Sequence, residues 1–236
     1  MTRSRLTEAV LNNAAWCRAI ADSHNVDSID QGALWYCDKA LPRLYPNIVT
    51  LAEHTPTGAL IETLDTRLAP GWGIKDSFSD LDLLPAGFTK AFDAQWYCRP
   101  AAQQTPSRDD HDYTLSAVTD ERSLLHWSNA WGNGADIFNP ALIRNAAVEL
   151  VYVERGGAIT AGLALNRTGG VVGLSNVFGK PSDLLACVSL VARQHPDDLL
   201  VGYGDTTELA AVSPLGFEPI GPLRVWVRNP AKGSNE

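Results

Sequence analysis

Apolar residues at Leu6, Val10, Ala14, Cys17 and Ala21 recur at helical spacing, which predicts a helix over 6–23. The same reading predicts a second helix over 29–40, strands over 48–53 and 59–66, a short strand near 72–74, and a strand over 91–100. Further on, helical patterns at 122–131 and 140–145 precede an alternating strand at 148–153. Strand patterns at 158–166 and 171–178 flank Arg167-Thr168-Gly169-Gly170, the turn chemistry of a hairpin. Pro181, Ser182 and Asp183 suit the first turn of a helix running to Gln194, which is apolar almost all round and so must be buried. His195-Pro196 stops it, and a short strand at 199–203, a helix at 205–213 and a strand at 222–230 follow. The order predicts an α/β sheet in which one helix crosses between two parallel strands.

The pattern ends twice. Residues 75–88 read KDSFSDLDLLPAGF and 204–217 read GDTTELAAVSPLGF, sharing an Asp, a following hydroxyl residue and Pro-x-Gly-Phe at matching places. Each precedes a strand-like run with a Trp, closed by an Arg with a Pro just after: AFDAQWYCRP at 91–100 and PLRVWVRNP at 222–230. Two related domains in tandem are expected, each closing on helix, turn and strand. The polar, Pro-containing stretch 101–112 reads as the linker between domains at 1–100 and 113–230, and the tail 231–236 as disordered.

Composition narrows the function classes. A formal charge of −8 with no Lys/Arg cluster opposes nonspecific binding to nucleic acid or anionic membrane. The first ten residues lack the apolar run of a secretory leader and no uncharged stretch approaches a membrane span, so a cytoplasmic location is expected. Cys17, Cys37, Cys98 and Cys187 are scattered without metal-ligand spacing and read as buried thiols. Walker, nucleophile-elbow and dinucleotide glycine motifs are absent.

The element order of the second half resembles the GCN5-related N-acetyltransferase (GNAT) superfamily. The resemblance is carried by the hairpin GAITAGLALNRTGGVVGLSNVF at 157–178, the helix after it, and the ending ELAAVSPLGFEPIGPLRVWVR at 208–228. The first half resembles a reduced copy that keeps LPAGF and QWYCR but has too little chain between Ala59 and Trp72 for a full hairpin partner plus a crossing helix. The resemblance implies a mixed, mostly antiparallel sheet flanked by helices, with acetyl-CoA or another acyl-CoA as co-substrate. It implies that Ser175, Asn176, Val177 and Phe178 line the pantetheine arm, and that Gly179, Lys180, Ser182 and Asp183 form the pyrophosphate turn on a helix N-terminus. Where the family carries Arg or Gln, two residues, Gly, one residue, then Gly or Ala, this chain reads GKPSDLLA; where the family commonly keeps a Tyr acid, it has Val212, and Leu83 in the first half.

Asp76 and Asp205 occupy equivalent places and read as N-caps; Asp205 and Tyr203, at a strand end, also suit proton exchange with an amine or a thiolate. Trp127 and Trp131 share a helical face with His126 beside them, which suits core packing or, in a GNAT-like fold, the border of an acceptor pocket. Trp96 and Trp226 read as structural, and Glu62, Asp65 and Glu149 as solvated strand residues. Ser175-Asn176, a polar pair within an apolar strand, suits either a bulge or a ligand's amides. Two function classes follow: an acyltransferase acting on a small-molecule or peptide amine, or a noncatalytic GNAT-like module binding another ligand or a protein partner. Homodimerisation is compatible with either, and a pocket between the last strands of the two halves is a third possibility.

Overall fold

The computed structural model describes residues 4–106, 110, 112–134 and 136–230. The linker expectation falls partly, and the tail expectation wholly, outside them. Helix α1 (Arg5–Ser23) opens on Ser4, whose side chain accepts from the Thr7 amide, and buries a broad face from Ala9 to Ala21. Next come β1 (Ile29–Gln31), β2 (Leu34–Tyr36), β3 (Ile48–Thr50), α2 (Gly58–Asp65), β4 (Gly73–Asp76) and β5 (Phe88–Arg99). The second half holds β6 (Thr114–Ala117), α3 (Glu121–Trp131), a 3-10 turn (Leu142–Arg144), β7 (Val148–Arg155), β8 (Ala158–Thr168), β9 (Val171–Gly179), α4 (Pro181–Gln194), β10 (Leu199–Gly204), α5 (Thr206–Val212), a second 3-10 turn (Ser213–Leu215) and β11 (Glu218–Arg228).

Three expectations for the first half are corrected. Residues 29–40 hold a hairpin instead of a helix: Gln31 pairs with Leu34 across Gly32-Ala33, and Gly32 takes φ +60 at the first loop position, as a type II′ turn requires. Residues 59–66 form helix α2, with Ile61 and Leu64 buried three apart and Leu68 four further on. Glu62 is exposed on that helix, while Asp65 takes two bonds from Arg228, at 2.8 and 2.6 Å. The first repeated ending has no helix, because the Asp76 carboxylate accepts from the amides of Asp80 and Leu81 and closes a loop. Asp205 accepts from Thr207 and Glu208 instead and opens α5.

With these corrections the two halves match element for element. In each, a helix, an antiparallel meander and a crossing helix lead to a parallel strand and then a last strand (α1, β1–β3, α2, β4, β5 against α3, β7–β9, α4, β10, β11), while β6 and α5 have no first-half counterpart. The crossing helix thought to lack room is α2. Both halves lie in one eleven-stranded sheet, ordered β1-β2-β3-β4-β11-β5-β10-β9-β8-β7-β6, antiparallel except at β3–β4 and β9–β10. The last strands are exchanged: β11 pairs with β4 of the first half, and β5 with β10 of the second. The exchange keeps register, since Tyr203 lies opposite Trp96 and its counterpart Ile74 opposite Trp226.

Helices α1 and α3 pack on one face of the second-half strands, with Trp16, Trp127 and Ile20 in a common core; α4 and α5 cover the other face, over Leu163, Val172 and Leu200. All four cysteines are buried thiols. Among the described residues no helix is long and apolar enough to cross a membrane, and no His/Cys/Asp/Glu cluster could hold a metal ion.

Candidate functional site

Strands β9 and β10 pair in parallel only as far as Leu174 opposite Gly202. Beyond that point they part, for a local reason on β9. Gly162 faces Phe178 and Ala164 faces Ser175 across β8, so Asn176 and Val177 together oppose one residue, a β-bulge. Asn176 takes φ +52, an uncommon conformation for a side-chain-bearing residue. Tyr45, from the loop before β3, donates to Asn176 Oδ1 at 3.0 Å, so a first-half residue braces the second-half bulge. The equivalent place in the first half is closed by the Ser77 amide donating to Thr50 Oγ1 at 2.8 Å.

The opening leads into a cavity of about 500 Å³, within the size range of small-molecule sites. Its floor is laid by the exchanged strands (Phe92, Val225, Val227), its walls by Trp16, Leu44 and Tyr45, and its polar groups are Lys75, Ser175, Asn176, Tyr203 and Glu208. Trp16 belongs to α1 and Glu208 to α5, helices on opposite faces of the sheet, so the space reaches through the parting of the strands.

Lys75 and Glu208 are the charged groups of this lining, and neither was singled out from sequence for chemistry. Lys75 is buried at 4% exposure. Its ammonium donates to Asn13 Oδ1 at 2.6 Å and to the Tyr203 hydroxyl at 3.2 Å, and sits 4.4 Å from the centre of the Tyr203 ring. Burial pulls its pKa down, but its interactions with the Tyr203 and Cys17 side chains pull the other way, and the balance lies above the ordinary lysine value. The Tyr203 ring stands edge-on to Trp96 at 5.3 Å.

Glu208, half-buried on α5, accepts from the Tyr97 hydroxyl at 2.6 Å. Burial raises its pKa to about 7; the Tyr97 bond offsets part of this and the Asp205 charge adds to it. Two glycines of β10 make this placement possible. A Cβ at Gly202 would lie 2.5 Å from the Tyr97 ring, and one at Gly204 would lie 2.5 Å from the Glu208 carboxyl carbon. Gly-Tyr-Gly within a buried strand is thus the sequence signal that points to Glu208.

Of the residues expected at a site, Ser175, Asn176, Val177 and Tyr203 meet at the cavity. Phe178 does not; its ring packs edge-on against Trp127 at 5.2 Å. Gly179 ends β9, and Lys180 and Ser182 are exposed at the start of α4, where the Lys180 N-cap makes no side-chain capping bond. Asp183 is buried, its carboxylate accepting from Tyr113 at 2.6 Å, so that charge is engaged by a neighbour. Asp205 is an exposed cap outside the cavity. Trp127 is fully buried with its indole donating to the Val151 carbonyl, and it stacks on Trp131 at 6.2 Å; both belong to the core. His126 borders a separate hollow of about 270 Å³ with Tyr152 and Glu154. Trp16, Leu44, Tyr45 and Lys75 of the lining come from the first half, so the cavity lies between the halves and not in the second half alone.

No family model and no curated protein matches the chain. Solved structures do. A GCN5-related N-acetyltransferase from Kribbella flavida superposes with a TM-score of 0.63 at 14% identity, covering 94% of this chain and 96% of its own. A putative GNAT-family acetyltransferase from Novosphingobium aromaticivorans gives 0.57 at 14% identity, over 94% and 99% of the two chains. One from Sphaerobacter thermophilus, also a GCN5-related N-acetyltransferase, gives 0.57 at 12%, over 83% and 76%. At these identities the likeness is one of architecture: the chain has the fold of the GCN5-related N-acetyltransferases.

Proposed function

We propose that the protein is an N-acyltransferase that moves an acyl group from an acyl-CoA to an amine bound in the cavity between its halves. The observation that carries the proposal is the parting of β9 and β10 onto a cavity that holds an ionisable carboxyl, Glu208, and a phenol, Tyr203. The free edge of β9 past Leu174 suits the amide-bearing arm of CoA, and the first turn of α4 suits its pyrophosphate through backbone N–H groups, with Lys180 adding charge.

In this reading Glu208, with a pKa of about 7, takes the proton from the attacking amine. The amine nitrogen bonds to the thioester carbon and the C–S bond breaks. The Tyr203 proton, which is not used in the bond from Lys75, passes to the departing thiolate sulfur. Bound geometry supplies much of the acceleration by holding amine and thioester together. The test is calorimetric titration with acetyl-CoA, followed by a thiol-release assay across a panel of primary amines. Absence of both heat and thermal shift at millimolar acetyl-CoA would sink the reading.

A further inference from the structure

We propose that the acceptor is amino-acid-like: an amine that also bears a carboxylate, with an apolar or aromatic body. This rests on the acyl-transfer reading of the same cavity. Lys75 is a buried ammonium on the cavity wall with neutral partners, the Asn13 amide and the Tyr203 hydroxyl. Among the described residues no carboxylate lies within 4.0 Å of it, although the protein pairs exposed Arg and Lys residues with carboxylates repeatedly. A buried charge without a counter-ion is costly unless something supplies one. An ammonium has three protons, and two are used here, which leaves one for a ligand anion in the cavity it lines.

The second charge of the lining, Glu208, has the opposite sign and reaches the cavity from the other face of the sheet. Lys75 lies on the ring of Tyr203, while Glu208 lies against Gly204, the next residue of β10. An acceptor with its carboxylate on Lys75 and its amine directed through the parted strands toward Glu208 matches that order. Trp16, Leu44, Tyr45 and Phe92 supply an apolar surface for the rest of the molecule. A plain alkylamine leaves Lys75 unpaired, and a polyamine sets like charge against it.

The experiment uses the full chain and three probes that differ by one group: L-phenylalanine, phenethylamine, which lacks the carboxylate, and 3-phenylpropionate, which lacks the amine. Each is titrated by calorimetry, and the two amines are also assayed for acetylation. The expected result is binding of phenylalanine and phenylpropionate at least tenfold tighter than phenethylamine, with kcat/KM for phenylalanine exceeding that for phenethylamine by a similar factor. Lys75→Met, a neutral replacement of similar length, should erase the difference between the probes, its melting curve reporting that it has folded. The comparison among probes on the unmodified protein stands even if that variant does not fold. Equal or tighter binding of phenethylamine overturns the proposal, as does a Lys75→Met variant that slows both amines alike in kcat, which would assign the charge to the reacting carbonyl. If phenylpropionate binds in a Lys75-dependent way while acetyl-CoA does not bind at all, the anion site stands and the acyl-transfer reading fails.

Discussion

At the scale of the residue, Glu208 is the group on which most depends. Its raised pKa means that the fold holds the protonated carboxyl in preference to the carboxylate. The stabilisation this brings is complete below the ordinary glutamate range and is lost as pH rises through about 7. Glu208→Gln cannot ionise, so its melting temperature should gain on that of the parent protein between pH 5 and pH 8; a constant difference across that range would contradict the assignment. The same variant should lose about 10²–10⁴-fold in kcat/KM and, with it, the rising limb of the pH profile near 7. Tyr203→Phe keeps the ring under Lys75 but removes the hydroxyl. It should lower kcat about 10²-fold with the KM for acetyl-CoA little changed, measured under saturating amine. Asp205 was readable as a cap from its place before a helix, and it caps. Lys75 and Glu208 were not readable as a site because their significance comes from burial beside a cavity, and nothing in a charged residue's neighbours along the chain reports that.

At the scale of the element, the glycines of β10 and the asparagines of α1 set the site's geometry. Gly204→Ala places a methyl group against the movable end of Glu208 and not against backbone, so the carboxyl must swing aside. Activity should fall toward that of Glu208→Gln while the melting temperature stays within a few degrees; unchanged activity would remove Glu208 from the mechanism. Asn12 donates from α1 to the Asn166 carbonyl, the Thr168 hydroxyl and the Val171 carbonyl, clamping the helix to the β8–β9 turn. Asn12→Ala should cost about 2 kcal/mol, seen as a fall of about 4–8 °C in melting temperature.

The elements also show where pattern reading succeeds. Helix α1, the β8–β9 hairpin with its Gly169-Gly170 loop, α4 and β10 were legible because long amphipathic or apolar runs end at strong turn or breaker signals. Helix α2 was mistaken for a strand because eight residues with two fully inward positions carry little periodicity, and the β1–β2 hairpin for a helix because three-residue strands carry less. The first repeat's missing helix follows from what its Asp bonds to, amides four and five residues on, where the second copy bonds two and three on. Similar residues at matching places gave different local structures because the capping distance differs.

At the scale of the whole molecule, exchange of β5 and β11 joins the halves. Without it the duplicated ending would close two separate sheets; with it β4, β11, β5 and β10 are consecutive, and each half's core has an edge that only the other half covers. The cavity depends on the same event, since its floor consists of the exchanged strands and its charges arrive from β4 on one side and α5 on the other. A second half standing alone would lose Trp16, Tyr45 and Lys75 from the cavity lining, and with Tyr45 the brace on the β9 bulge. The reduced first copy therefore makes a wall of the site while its own cleft is closed by Thr50 and Ser77. An unfolding consequence follows. If the central four strands form one cooperative unit, calorimetry should show a single transition whose calorimetric and van't Hoff enthalpies agree. Cutting the chain once within 101–112 should leave the two pieces associated and the acetyl-CoA thermal shift intact, whereas residues 112–230 expressed without 4–106 should give no cooperative melt. Two separated transitions in the intact chain, or a second half that folds alone, would show that the exchanged strands join two independent cores and do not make one.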